Sequence, residues 1–394
     1  MSMNAAPSAN RVHIGFFGRR NAGKSSVVNA VTGQKVSLVS DVKGTTTDPV
    51  TKAMELLPLG PVVIIDTPGL DDEGELGRMR VQRARQMLSR ADVAVLVIDA
   101  VTGETDEDRA LEADVRAQSI PYIKVYNKCD VAPAPQGEMG ISALNGDGIQ
   151  ALKEKIAQLG GKTDAEEARI VGDMLKPGDF VLLVTPIDEA APKGRLILPQ
   201  QQTIRDILDA DAVALVVKED RIAETIENMG KRPAMVITDS QVFDIADAAV
   251  PEDIPLTSFS ILMARYKGLL DTAVQGIRAV EALKDGDTVL IAEGCTHHRQ
   301  CNDIGSVKIP RWLRAHTKKQ ISIELCSGND FPEDLTKYAL VLHCGGCMLT
   351  ERVVRQRMKQ AQLQNVPITN YGIAIAYMKG ILERSIEIFP HLRG

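Results

Sequence analysis

Gly18-Arg19-Arg20-Asn21-Ala22-Gly23-Lys24-Ser25, set directly after the apolar run Val12-His13-Ile14-Gly15-Phe16-Phe17, is the stretch on which the fold turns. Its glycines let backbone N–H groups curl around phosphates where a strand passes into a helix. Lys24 is spaced to reach the β- and γ-phosphates, and the Ser25 hydroxyl to hold Mg²⁺. Gly18, Asn21, Ala22, Gly23 and Ser26 are expected to line the same cradle. Up to about residue 160, further apolar runs alternate with helical patterns: PVVIIDTPG, DVAVLVIDA and PYIKVYNKCD. That alternation predicts a parallel sheet covered by helices.

Three elements follow the loop in order. Asp66-Thr67-Pro68-Gly69 ends a buried strand, so Asp66 can hold Mg²⁺ through water and Gly69 can meet the γ-phosphate. Asn127-Lys128-Cys129-Asp130 ends another strand. The Asp130 carboxylate can accept from the N1–H and 2-amino group of guanine, a donor pair that adenine lacks. Ser142-Ala143-Leu144 closes the base pocket. All of these fall at strand ends, where open parallel sheets bind ligands. The set predicts a Ras-like P-loop GTPase domain that binds GTP and Mg²⁺.

Lys43-Gly44-Thr45-Thr46-Thr47-Asp48 sits where the first switch loop belongs. Thr46 is the expected Mg²⁺ and γ-phosphate contact, with Thr45 and Thr47 as alternatives. Lys24, Thr46 and Gly69 are therefore the expected catalytic residues. Leu70 occupies the place where Ras-type GTPases carry a water-orienting Gln, and an aliphatic side chain cannot align water. Glu73 and Glu75 are candidates for that task, against the alternative of a solvated acidic loop. Asn21 together with Gly44-Thr45-Thr46 resembles the potassium-activated GTPases related to tRNA-modifying and ribosome-assembly enzymes. The resemblance implies that Asn21 and switch-loop carbonyls hold K⁺ where an arginine finger would otherwise lie.

At 394 residues the chain is too long for one compact domain. Hydrophobic content of 44% and charged content of 25% are ordinary for a globular protein. A net charge of −6 argues against a general nucleic-acid binder. No run approaches the roughly 18 apolar residues of a membrane span. MSMNAAPSAN has neither a signal core nor an arginine-rich transit pattern and reads as a frayed tail, so a cytoplasmic location is expected. In such a reducing compartment the six cysteines are ligands or buried thiols rather than staples.

Gly160-Gly161-Lys162-Thr163-Asp164, which reads as a linker or the start of a connecting helix, leads to a middle block from about 176 to 262. It contains FVLLVTP, RLILP, AVALVVK and AMVITDS as strand-like runs, and QQTIRDILDAD and RIAETIENM as helical ones. No polar constellation there suggests catalysis; an oligomerisation module and a plain α/β spacer are the two readings. After the helical stretch ILMARYKGLLDTAVQGIRAVEAL, a third block repeats strand then helix through TVLIAEG, ISIELCSG, YALVLHCGG and PITNYG. No repeat with a period of 20–50 residues is evident.

The third block holds Cys295-Thr296-His297 and His343-Cys344-Gly345-Gly346-Cys347, each group at the end of a predicted strand. Thiolates and imidazoles so grouped suit an iron–sulfur cluster or zinc better than a disulfide. Three thiolates would leave one iron of a [4Fe–4S] cluster open or bound by a weaker ligand, for which His297 and His343 are candidates. A Cys₃His structural zinc and incidental buried thiols are the alternatives. Cys301, Cys326, Cys129 and His298 carry less information. The basic segment VKIPRWLR, followed by His316, Lys318 and Lys319, reads as a partner-docking face, an anionic-ligand pocket or an amphipathic helix with solvated charges.

In GRRNAGKSS, DTPG, NKCD, Cys-x-His…His-Cys-x-x-Cys, CTHH and VKIPRWLR, the chain resembles the [FeFe]-hydrogenase maturation GTPases, the HydF family, over essentially its whole length. The resemblance implies three α/β parts: a GTPase domain (1–165), a dimerisation domain (166–262) and an iron–sulfur cluster domain (263–394). It implies that Cys295, Cys344 and Cys347 hold the [4Fe–4S] cluster, with His297 and His343 at or near its exchangeable position. It further implies a homodimer that receives a transient diiron precursor from two radical maturation enzymes and delivers it to apo-[FeFe]-hydrogenase. The alternative is a K⁺-dependent GTPase governing another metal-dependent process, such as RNA modification, with structural zinc at the C-terminal site.

Overall fold

Runs rich in Val, Ile and Phe build the first sheet from β1 (Val12–Phe17), β2 (Val50–Leu56), β3 (Gly60–Asp66), β4 (Val93–Asp99), β5 (Tyr122–Asn127) and β6 (Met139–Gly140). The computed structural model describes residues 11–34, 50–67, 87–88, 90–161, 168–187, 196–294, 303–328 and 330–392. The strand order is β2-β3-β1-β4-β5-β6, parallel throughout except for the antiparallel pair β2–β3. Every residue of β4 is buried, as a strand covered on both faces must be. Helices Lys24–Thr32, Asp106–Ala117 and Ile149–Gly160 accompany this sheet. The edge strand β2 escapes the sequence reading because most of its residues are exposed and no apolar run marks it.

Contacts divide the chain into two compact units, Met1–Glu167 and Ala168–Gly394. The second holds two four-stranded parallel sheets. One contains β7 (Phe180–Val184), β8 (Val213–Val217), β9 (Met235–Thr238) and β10 (Leu256–Ser258), in the order β10-β9-β7-β8. The other contains β11 (Thr288–Glu293), β12 (Ser322–Ser327), β13 (Leu340–His343) and β14 (Ile368–Asn370), in the order β12-β11-β13-β14. In each, the first strand lies between the second and the third, and the fourth lies outside the third.

The likeness extends to residues and bonds. IPLTSFSILMARYKGLL, Ile254 to Leu270, aligns without gaps on VPITNYGIAIAYMKGIL, Val366 to Leu382. Val236 N donates to Pro255 O at 2.8 Å, and Val341 N to Pro367 O at 2.8 Å. Ser258 and Asn370 cap equivalent helices by accepting from Ile261 N and Ile373 N. The second unit is thus two copies of one plan, at a period longer than the sequence reading searched.

The copies meet through helices Phe259–Tyr266 and Tyr371–Met378, where Gly372 N donates to Ser260 Oγ at 3.1 Å. Equivalent lysines then cross in opposite directions. Lys267 Nζ donates to Leu349 O at 3.0 Å, and Lys379 Nζ pairs with Asp244 Oδ1 at 2.8 Å. Exchange of partners between like surfaces is the mark of an approximate two-fold relation. One hydrophobic core runs through both copies.

Two expectations need correction. RLILP is not a strand: Leu198 and Pro199 open the helix Leu198–Leu208, where proline's missing N–H costs nothing. The long stretch from Ile261 breaks into helices Phe259–Tyr266 and Leu270–Gly276 and a 3-10 turn, because Gly268 adopts a left-handed φ of 70°. The helix Phe259–Tyr266 spans position 262/263.

A Cβ on Gly372 would lie 2.7 Å from Ser260 Cβ. Helix propensity alone would favour alanine by about 0.5–1 kcal/mol, but overpacking of a pinned helix crossing costs about 1–3 kcal/mol. Gly372→Ala is expected to lower the urea midpoint of the second unit. An unchanged midpoint would show that the crossing can relax.

Candidate functional site

The phosphate loop spans the turn from β1 into helix Lys24–Thr32. Gly23 has φ 84°, and a Cβ there would stand 2.3 Å from Asn127 Nδ2. That close approach lets Asn127 act as a clasp: Nδ2 donates to Ala22 O at 3.0 Å, and Oδ1 accepts from Ala143 N at 3.0 Å. Ser142 Oγ donates to Asp130 Oδ1 at 2.5 Å. The loop, the carboxyl end of β5 and the Ser142-Ala143 turn therefore form one connected edge. Lys128 Nζ lies 2.6 Å from Asp99 Oδ2. Burial pushes the Asp99 carboxyl up, but the hydrogen bond from Lys128 and other contacts outweigh it, and the net direction is down.

Buried Lys24 donates from Nζ to Arg19 O at 2.7 Å, and Ser25 Oγ donates to Asp66 Oδ2 at 3.0 Å. Asp66 Oδ1 is buried without a hydrogen-bond partner among the described residues. A buried carboxylate oxygen left bare is costly, and beside Ser25 it fits the demand of a hydrated Mg²⁺. Asn21 is exposed, with φ 60°, and Ser26 is half-buried on the first helical turn. The sequence reading missed Arg19, whose guanidinium reaches Asp108 Oδ2 at 3.3 Å and Thr102 Oγ1 at 2.9 Å and ties the loop to helix Asp106–Ala117. Thr45, Thr46, Thr47, Gly69, Leu70, Glu73 and Glu75 lie outside the described residues.

In the second unit, β11 pairs with β13 so that Ala292 faces His343. Cys344 N donates to Ala292 O at 2.9 Å as the chain leaves the sheet. Cys344 Sγ then accepts from Gly294 N at 3.0 Å and from Gly346 N at 3.4 Å. Gly294 directly precedes Cys295. Cys295, His297, His298 and Cys301 lie outside the described residues, and among the described residues no three His, Cys, Asp or Glu side chains group as metal ligands. Burial pushes the Cys344 thiol up, and the Cys347 thiol up to about 11. Thiols this reluctant to ionise alone become good ligands once a cation compensates their charge. Paired thiols on a glycine turn, with amides aimed at sulfur, form a donor set that fits an iron–sulfur cluster.

His343 is fully buried. Its Nε2 lies 3.1 Å from Arg357 Nη1, and its Nδ1 lies 2.7 Å from Cys344 O. Guanidinium can only donate, so Nε2 accepts and Nδ1 carries the proton given to the carbonyl. Burial, then the Arg357 charge, pull His343 down to about 4, against the opposing backbone bond. Both ring nitrogens are engaged, so a place at the exchangeable iron would require breaking the Arg357 contact. No sequence pattern signalled Arg357, which lies on the helix Glu351–Leu363.

Burial drives Cys326 up to about 11 at the end of β12, and Cys129 Sγ donates to Tyr126 O at 3.3 Å. VKIPRWLR runs into the helix Ile309–Thr317, with Ile309, Pro310 and Leu313 buried and Arg311 exposed, which is the amphipathic reading.

Comparison with known proteins agrees with this layout. Residues 13–128 match a family model described as 50S ribosome-binding GTPase. Residues 170–268 match one described as Hydrogen maturase F dimerization domain, and 271–388 one described as Hydrogen maturase F tetramerization domain. The tRNA modification GTPase MnmE of Synechococcus sp. (strain JA-3-3Ab) is 40% identical over 159 residues, covering 38% of this chain and 34% of that protein. MnmE of Paraburkholderia xenovorans is 35% identical over 156 residues, covering 36% and 33%. This chain thus spans about a third of the length of the curated relatives it matches. Era of Aquifex aeolicus bound to GDP and AlF₄⁻ is 22% identical, covering 55% of this chain and 98% of that one, with a TM-score of 0.35.

Fold and site together define a Ras-like P-loop GTPase domain followed by paired α/β sheets. The two C-terminal matches are particular to one family, and the chain belongs to it: hydrogen maturase F, HydF. Their descriptions also make it an oligomerising protein. Among the described residues no helix is long and apolar enough to cross a membrane.

Asp130→Ala removes the carboxylate expected to accept from guanine's two donors and takes from Ser142 Oγ its acceptor. Loss of a charged hydrogen-bond acceptor costs about 1.5–3 kcal/mol, so GDP affinity by calorimetry is expected to fall by tenfold or more. Undiminished affinity would remove Asp130 from the base site.

Proposed function

We propose that this chain is a GTP-hydrolysing scaffold that holds a [4Fe–4S] cluster, takes up a transient diiron precursor and delivers it to apo-[FeFe]-hydrogenase. The observation that carries the reading is the thiol turn: Cys344 and Cys347 on a glycine loop, with the Gly294 and Gly346 amides directed at Cys344 Sγ. Cys295 follows Gly294 and supplies the third thiolate. When bound, the cluster supplies an iron with a replaceable ligand. His297 stands as that ligand, while the two bonds of His343 favour a positioning role for it. The precursor is cargo, handed over by two radical maturation enzymes.

At the other end, Lys24, Thr46 and Gly69 meet the γ-phosphate, Ser25, Thr46 and Asp66 hold Mg²⁺, and Asn21 holds K⁺. Gly18, Ala22, Gly23 and Ser26 cradle phosphates, and Asn127, Lys128, Asp130, Ser142 and Ala143 hold the base. GTP then times partner exchange rather than performing assembly chemistry. A homodimer is supported by β8, an edge strand of its sheet that exposes Val213 and Val216.

Iron-reconstituted Cys295→Ala, Cys344→Ala and Cys347→Ala are expected to lose the visible charge-transfer absorption of the native chain, while His297→Ala keeps it. Retention in all three cysteine variants would overturn the ligand set. GTP turnover is expected to be several-fold faster in K⁺ than in Na⁺, and Asn21→Ala to abolish the difference. Equal turnover in both salts would remove K⁺ from the mechanism.

A further inference from the structure

We propose that Arg357 is the counter-charge of the thiolate site, a positioning residue that works through His343 and raises the reduction potential of the cluster. This rests on the reading that Cys344 and Cys347 hold an iron–sulfur cluster. Arg357 is 5% exposed. Its Nη1 donates to His343 Nε2 at 3.1 Å, its Nη2 donates to Gly328 O, and its guanidinium carbon lies 4.8 Å from the Phe331 ring centre. Among the described residues no carboxylate pairs with it. A cation buried beside only neutral acceptors is strongly unfavourable unless an anion lies close by. Burial pulls the Arg357 guanidinium down, and the ionisable groups whose charge would oppose that are the thiols of Cys326 and Cys344. A [4Fe–4S] core held by three thiolates is such an anion, and each electron it takes up adds negative charge that the guanidinium offsets.

The duplication supplies an internal control. In the first copy Asp239 N donates to Val184 O at 3.1 Å, the counterpart of the bond from Cys344 N to Ala292 O. Thr238 and Asp239 stand there in place of His343 and Cys344. The corresponding helix, Phe243–Ala249, is shorter than Glu351–Leu363 and carries no arginine. Among the described residues, cysteines, histidine and buried arginine are thus absent together from one copy and present together in the other. If Arg357 served only the shared architecture, the first copy would need an equivalent. The route to the cluster is short: the guanidinium fixes the imidazole tautomer, and the imidazole N–H holds the Cys344 carbonyl.

The test is a redox titration, followed by electron paramagnetic resonance, on the full chain reconstituted anaerobically with iron and sulfide. Arg357→Met is expected to bind as much iron and sulfide as the wild type but to show a more negative midpoint potential. Arg357→Lys, which keeps the charge, is expected to recover most of the difference. If Arg357→Met fails to fold, Arg357→Gln replaces it, since its amide can still donate to His343 without carrying charge. A neutral variant with full iron loading and the midpoint of the lysine variant would overturn the counter-charge alone. A wild-type chain that takes up no iron would overturn the cluster reading, and this proposal with it.

Discussion

The pairing of β11 with β13 is the constraint on which the second unit's chemistry depends. Parallel register sets Ala292 beside His343, and the bond from the Cys344 amide to the Ala292 carbonyl is the last rung before both chains leave the sheet. Beyond that rung the Gly294 amide meets the Cys344 sulfur at the edge that carries the Cys-Gly-Gly-Cys turn. A slip of one residue would turn His343 away from Arg357 and reverse every side chain on the strand. The GTPase domain uses the same device, since its loop, Asp66 and Asn127 all leave the carboxyl ends of β1, β3 and β5.

The duplicated plan explains how such an edge is both braced and specialised. Helices Phe259–Tyr266 and Tyr371–Met378 pack on each other, and each is followed by a lysine that reaches into the other copy. The thiol turn is therefore walled partly by residues of the first copy: Gly345 approaches Ser260 and Met263, and Lys267 holds the Leu349 carbonyl. The family names the two parts separately for dimerization and tetramerization. Within one chain they share a core, so damage to the first copy should reach the thiol turn.

What could be read in the sequence follows from the range of the interactions. β1, β3, β4 and β5 are contiguous apolar runs bounded by turn residues, and the nucleotide motifs carry their chemistry in local spacing. β2 is an exposed edge strand and leaves no such mark. RLILP has the composition of a strand, yet Pro199 and the helix that follows decide otherwise. The two-copy architecture is visible in IPLTSFSILMARYKGLL against VPITNYGIAIAYMKGIL only when the chain is compared with itself over a whole domain. Arg357 reads locally as one more polar residue on an amphipathic helix. Its burial depends on Phe331, Gly328 and His343, which tertiary packing alone brings together. Thr46, Gly69, Cys295 and His297 fall outside the described residues, so their placement rests on sequence alone.

The central claim is that the C-terminal edge holds an iron–sulfur cluster and not structural zinc. Metal and sulfide analysis of the chain purified without exposure to oxygen tests it most directly, read beside the optical spectrum. A brown protein containing iron and acid-labile sulfide in about equal amounts is expected, as a [4Fe–4S] core requires. A colourless protein with one zinc per chain and no capacity to take up iron would contradict it.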